Sequence, residues 1–279
     1  MKSPPFRISL AVSAFVALSP AAAQSPAVLV KDISPGPVQA GSSAFSALAV
    51  VGNQAYFGAD DGFLGTELWA TDGTPRGTRR IADLCPGRCS GGPRAFTPSG
   101  DLMFFVAGNT TSGDSFWLWR TDGTDDGTYP LVDLAIGVFG AAGPIGYLAP
   151  LRGGVVFLVR DGGRDGYDVW HSDGTRAGTR RLVALPFSFF SPLNRPHPFL
   201  ARAGEEVVHF DWQGTLWVTD GSERGTHPVA DLPITRCMDG GWSQFNQLLI
   251  YAGDDGANGC KLWVTDGTPE GTHRLRGAL

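Results

Sequence analysis

The stretch LWATDGTPRGT, Leu68–Thr78, returns four times along the chain. It recurs as LWRTDGTDDGT (Leu118–Thr128), VWHSDGTRAGT (Val169–Thr179), LWVTDGSERGT (Leu216–Thr226) and LWVTDGTPEGT (Leu262–Thr272). Its tryptophans, Trp69, Trp119, Trp170, Trp217 and Trp263, stand 50, 51, 47 and 46 residues apart. A fixed period of this length marks a solenoid or a propeller, in which each unit buries its apolar face only against its neighbours.

The phrase itself reads as a hairpin. Leu-Trp-x-Thr alternates like a short strand, with Trp69 and Thr71 on one face and Leu68 and Ala70 on the other. Asp72-Gly73 then supplies turn chemistry, the carboxylate accepting backbone N–H groups and the glycine tolerating positive φ. Gly77-Thr78 opens the returning strand. On this reading Asp72, Asp122, Asp173, Asp220 and Asp266 are turn caps rather than metal ligands, because calcium wants several acids in one loop. The five tryptophans are expected at equivalent places between units.

The phrase resembles the ELWxxDGT repeat of exported bacterial proteins, which Glu67–Thr74 matches outright. The other copies depart at the glutamate, where Trp117, Asp168, Thr215 and Lys261 stand. The resemblance implies a β-rich, propeller-like repeat and carries no assigned catalytic residue. The Trp and following Asp-Gly also resemble, in position and composition, the Asp-box hairpins of sialidase-type propellers, which are chiefly structural.

Each unit offers four strand candidates, Phe45–Val51, Gln54–Ala59, Glu67–Thr71 and Thr78–Leu84 in the first. The second candidate is the most apolar in later units: Leu102–Ala107, Val155–Arg160, Glu206–Phe210 and Leu248–Ala252. Such runs suit strands covered on both faces. Pro130 and Pro228 fall in the fourth candidate and mark it as the outer edge, since proline cannot donate to a ladder. The expected fold is therefore all-β, a five-bladed β-propeller of four-stranded antiparallel blades, with an open repeat array as the alternative. Val28–Ile33, followed by Ser34-Pro35-Gly36, copies the end of a fourth strand (Ile81–Leu84, Cys85-Pro86-Gly87). That makes 21 strand candidates for a ring of 20, and the extra strand is expected to lace onto the last blade and close the ring.

Composition agrees. The chain has 279 residues with 39 Gly, 20 Pro and 42% hydrophobic residues, as suits many turns in one β domain. Residues 1–23 read as an export signal: Lys2 and Arg7, the apolar run Ile8–Leu18, then Ala21-Ala22-Ala23 before Gln24. Residues 24–279 form the single repeat domain. The net charge of −5, which becomes −7 without Lys2 and Arg7, and the lack of a basic stripe argue against nucleic acid as a partner. No later apolar run is long enough to span a bilayer. Export makes disulfides Cys85–Cys89 and Cys237–Cys260 the expected use of the four cysteines, with free buried thiols as the other reading.

The loops between second and third strands vary and carry the candidate ligand site. They hold Asp60 and Asp61, Asp161 and Asp165, and Asp254 and Asp255, each pair with glycines. Paired carboxylates beside glycine fit calcium or a polyol, and equally a solvated turn. No nucleophile elbow, zinc-protease or dinucleotide motif is present, and the first-strand stretches hold almost no acid. The sequence thus points to an exported binding or scaffolding module for a protein or glycan at the cell envelope, periplasmic or extracellular. The alternative is a carbohydrate-active enzyme with acids in its central funnel.

Overall fold

The computed structural model describes residues 29–34, 48–109, 115–133, 145–161, 166–185, 200–204, 206–210, 215–229, 235–237 and 242–275. The signal expected at 1–23 lies outside these residues. Among the described residues every regular element is a strand.

The first sheet runs β1 (Ala49–Val51), β2 (Gln54–Asp60), β3 (Thr66–Thr71) and β4 (Arg79–Ala82). The second holds β5 (Arg94–Ser99), β6 (Leu102–Asn109), β7 (Ser115–Thr121) and β8 (Tyr129–Asp133). The third comprises β9 (Ile145–Leu151), β10 (Gly154–Asp161), β11 (Gly166–Ser172) and β12 (Arg180–Ala184). In the fourth stand β13 (Leu200–Ala203), β14 (Glu206–Phe210), β15 (Leu216–Thr219) and β16 (His227–Pro228). Each is an antiparallel meander in chain order, so sequence neighbours are also sheet neighbours. The fifth sheet differs at its first position, which comes in two pieces, β17 (Thr235–Arg236) and β18 (Trp242–Phe245). Both pair with β19 (Leu248–Asp254), followed by β20 (Lys261–Thr265) and β21 (His273–Arg274). The 21 strands of the described residues thus include a divided first strand in the fifth sheet and none at 29–34.

Pro130 lies in β8 and Pro228 in β16, and both strands occupy the sheet edge that the sequence assigned them. At the opposite edge β1, β5, β9 and β13 stand side by side and line the axis about which the sheets turn. Three third strands carry a register shift at the motif, between Leu68 and Trp69, Leu118 and Trp119, and Val169 and Trp170. A bulge of this kind bends the hairpin and sharpens its twist.

Among the described residues four core clusters are shared across junctions between sheets, and a smaller one, Phe57, Ala59 and Trp69, lies on the first sheet. Leu68, Ala70, Ile81 and Leu84 of the first sheet pack on Met103, Phe105 and Ala107 of the second. Leu118 and Leu131 meet Val155, Phe157 and Val159 in the next junction. Val169 and Leu182 meet Leu200, and Leu216 and Val229 meet Leu249 and Tyr251. The tryptophans hold equivalent places: Trp119, Trp170, Trp217 and Trp263 each border the junction with the preceding sheet. Cross-strand pairing sets Phe57, Phe105, Phe157 and Tyr251 directly opposite Trp69, Trp119, Trp170 and Trp263.

The N-terminal segment is a correction. Leu29–Ser34 forms no strand, and it lies against the first sheet rather than the last. Ile33 packs on Phe57, Ala59 and Trp69, and Lys31 Nζ donates to the Thr78 carbonyl at 2.7 Å. Its likeness to the end of a fourth strand is nevertheless physical. Ile33 stands on Phe57, Ala59 and Trp69 as Leu84 stands on Phe105, Ala107 and Trp119. Among the described residues no core cluster joins the fifth sheet to the first, so the expected closing junction is not one of those observed.

Candidate functional site

The hairpin phrase explains itself residue by residue. Asp72 Oδ1 accepts from the Thr74 amide at 2.9 Å and from the Thr74 hydroxyl at 2.7 Å. The Thr74 hydroxyl in turn accepts from the Gly77 amide, and its carbonyl accepts from Thr78. Thr71 and Thr78 close the base, hydroxyl to hydroxyl, at 2.7 Å. Gly73 sits at φ 86°, where a side chain would be strained. A Cβ on Gly77 would lie 1.9 Å from the Asp72 carboxylate, so the second glycine is required by contact rather than by dihedral. Asp122, Asp173 and Asp266 repeat the same bonds with Thr124, Thr175 and Thr268. Asp220 makes the amide bond to Ser222, which replaces the threonine. All five aspartates are turn caps, as the sequence indicated. The Thr74 hydroxyl holds Asp72 below the ordinary carboxylate value, and Thr124 does the same for Asp122.

Hairpins also bridge units. The Gly123 carbonyl accepts from Arg79 Nη2 at 2.6 Å, and the Gly174 carbonyl from the Tyr129 hydroxyl at 3.1 Å. The second and third turns therefore stand on the preceding unit.

The acidic loops are used in a way their composition left open. Asp60 Oδ1 accepts from Gly62 N at 2.7 Å, and Asp61 Oδ1 from Phe63 N and Leu64 N. Asp254 Oδ1 takes Gly256 N, while Asp255 takes Ala257 N, Asn258 N and the Asn258 amide group. The Asn258 side chain, helped by those amides, draws Asp255 down to about 2. Asp161 ends β10, and Asp165 lies outside the described residues. Among the described residues no three His, Cys, Asp or Glu side chains come together as a metal-binding group. Calcium at these loops would have to use the remaining carboxylate oxygens with backbone carbonyls.

Both expected disulfides have bridging geometry, with Cα–Cα distances of 5.6 Å for Cys85–Cys89 and 6.0 Å for Cys237–Cys260. Cys237 follows β17 and its amide donates to the Ala252 carbonyl, so it extends the first strand of its sheet rather than the turn before it. The bridge ties that weak, divided strand to the loop ending at Cys260. Its 23-residue separation predicts a loss of about 3 kcal/mol when both cysteines become serine. Urea unfolding measures this, and a loss under roughly 1 kcal/mol would contradict it.

Glu67 was read only as a motif position, and the structure gives it a task. It is fully buried and accepts from the amides of Leu84 and Gly91, which bracket the Cys85–Cys89 turn. Thr66 adds two bonds to the same turn, through Ser90 Oγ and Gly92 N. At the matching place Asp168 is also buried and accepts from Arg181 at 3.2 Å. Burial pushes the Glu67 carboxyl up to about 7 from 4.5, outweighing its amide donors. The folded chain then binds this proton more tightly than the unfolded one. Its stabilising contribution is complete below pH 4.5 and is lost as pH rises through about 7. The hairpin aspartates act oppositely and below 3.8, so the windows are separate. Burial holds His171 below its ordinary 6.5, which adds a rise in stability within the same window, so the measurement is the difference between proteins: from pH 4.5 to 7 the native chain should lose unfolding free energy relative to Glu67→Gln. Equal slopes in the two proteins would refute the assignment.

A cleft of about 590 Å3 lies between the turns after β5 and β9 and Arg202 of β13. Ser99, Gly100, Pro150, Arg152, Gly153 and Arg202 bound it. It lies at the strand ends opposite the acidic loops, and a second cleft, of about 770 Å3, lies beside Asp255, Asn258, Trp263 and His273 at an acidic loop. The strands lining the axis read AVV, RAFTPS, IGYLAPL and LARA, with WSQF in the fifth sheet, and none carries an acid.

No family model matches this chain, and no curated protein matches it either. Solved structures do. A prolyl endopeptidase is similar over 85% of this chain and 37% of its own, with 11% identity and a TM-score of 0.50. Puromycin hydrolase is similar over 84% of this chain and 38% of its own, at 15% identity and TM-score 0.47. In a nidogen/laminin complex, one chain is similar over 81% of this chain and 77% of its own, at 14% identity and TM-score 0.42. The chain spans under two fifths of the length of the two hydrolases. At such identities the likeness to the endopeptidase shows the fold alone, a propeller-like succession of antiparallel sheets.

Proposed function

We propose that this chain is an exported ELWxxDGT-type repeat protein that serves as a binding or scaffolding module at the cell envelope. Two disulfides suit an oxidising compartment, periplasmic or extracellular. Its ligand, a protein or a glycan, sits in the axial cleft beside Arg152 and Arg202. The observation that carries this reading is the pairing of a sizeable cleft with axial strands free of carboxylates. Glycoside hydrolysis needs two carboxylates flanking one bond, and the strands lining the axis supply none. The test is a glycan array and a panel of chromogenic glycosides, both run with calcium and with chelator. Saturable binding that Arg152→Ala weakens severalfold, without turnover, is the expected result. Hydrolysis of any glycoside at a rate set by two titrating groups would replace this reading with the enzymatic one.

A further inference from the structure

The five units are built alike, yet the two end sheets each show an open side that is covered everywhere else. On the side facing the next unit, Leu68, Leu118, Val169 and Leu216 are at most 3% exposed, whereas Leu262 is 57% exposed. The following strand repeats the contrast. Ile81, Leu131, Leu182 and Val229 are buried, and Leu275 is 45% exposed. The side facing the previous unit is open on the first sheet. Phe96, Leu148 and Leu200 pack into their junctions, while the corresponding Leu48 is 63% exposed. Gly123, Gly174, Gly221 and Gly267 are buried and Gly73 is exposed. A Cβ on Gly123, Gly174 or Gly221 would strike the preceding unit, and one on Gly73 would meet nothing within 4 Å.

These are two halves of an interface the molecule already makes four times. The first sheet is also prepared for its partner, because Ile33 already holds the place that Leu84 takes at the next junction. What is missing there is a sheet ending in an apolar side chain like Leu262. We propose that the open side of the fifth sheet docks on the open side of the first sheet of a second copy, head to tail. His273 then stands where Arg79 and Tyr129 stand, facing the Gly73 carbonyl as those residues face Gly123 and Gly174. Pairing between copies leaves the four internal junctions untouched. The contact is heterologous, so each copy keeps one open side for the next.

Sedimentation of the full chain over a range of concentrations tests this, with Leu262→Asp and Leu48→Asp as single-face variants. Both positions are exposed, so circular dichroism should show each variant folded as the native chain. The native chain should exceed the mass of one copy as concentration rises, and each variant alone should associate at least tenfold more weakly. An equimolar mixture should give a species of two copies, because Leu48→Asp keeps an intact fifth sheet and Leu262→Asp an intact first. A native chain that stays single at every concentration would overturn the proposal and point to closure within one copy. A mixture that stays single would overturn it too.

Discussion

Replacing Phe157 by alanine is expected to lower the unfolding free energy by about 3 to 5 kcal/mol. The side chain is fully buried at the middle of β10 and lies across from Trp170, ring centres 6.2 Å apart. It reaches into the junction with the second sheet, among Phe104, Val106, Leu118 and Leu131. Strands bound that space on both sides, so the cavity has little room to collapse, which is the circumstance that makes such losses large. Because neither sheet has a private core, the damage falls on a junction rather than on one unit. Denaturant unfolding of the native and variant chains measures it. A loss near 1 kcal/mol would mean that the sheets are held by something other than their shared faces.

Much of this architecture was legible because a few residues carry strict geometry. Asp72, Thr74 and Gly77 specify one turn so tightly that the phrase could hardly vary. The prolines in β8 and β16 gave away the edge, since only there is a missing donor tolerated. Cysteine pairing was legible from spacing together with the expectation of export, and both pairs have bridging distances. Other features depended on partners that a sequence does not name. Asp60, Asp61, Asp254 and Asp255 were legible as paired acids beside glycine, while the bonds that their oxygens accept from their own loop amides needed the fold. The segment at 29–34 shows by its composition which kind of strand end it copies, but not which sheet it copies it for. Glu67 could be seen as a motif letter, while its hold on the disulfide turn needed the fold. The axial cleft is bounded by residues of three different units, and no local pattern announces such a meeting.

One junction is repeated four times and left open on the fifth sheet. This is tested most directly by making one substitution at two copies of one motif position. Leu118 and Leu262 each precede the motif tryptophan, but Leu118 is fully buried and Leu262 is 57% exposed. In solution dilute enough to keep copies apart, Leu118→Ala should cost about 2 to 5 kcal/mol in denaturant unfolding. Under the same conditions Leu262→Ala should stay within about 0.5 kcal/mol of the native chain. Equal losses at the two positions would show that the fifth sheet is covered like the others, and would contradict the open end on which the account rests.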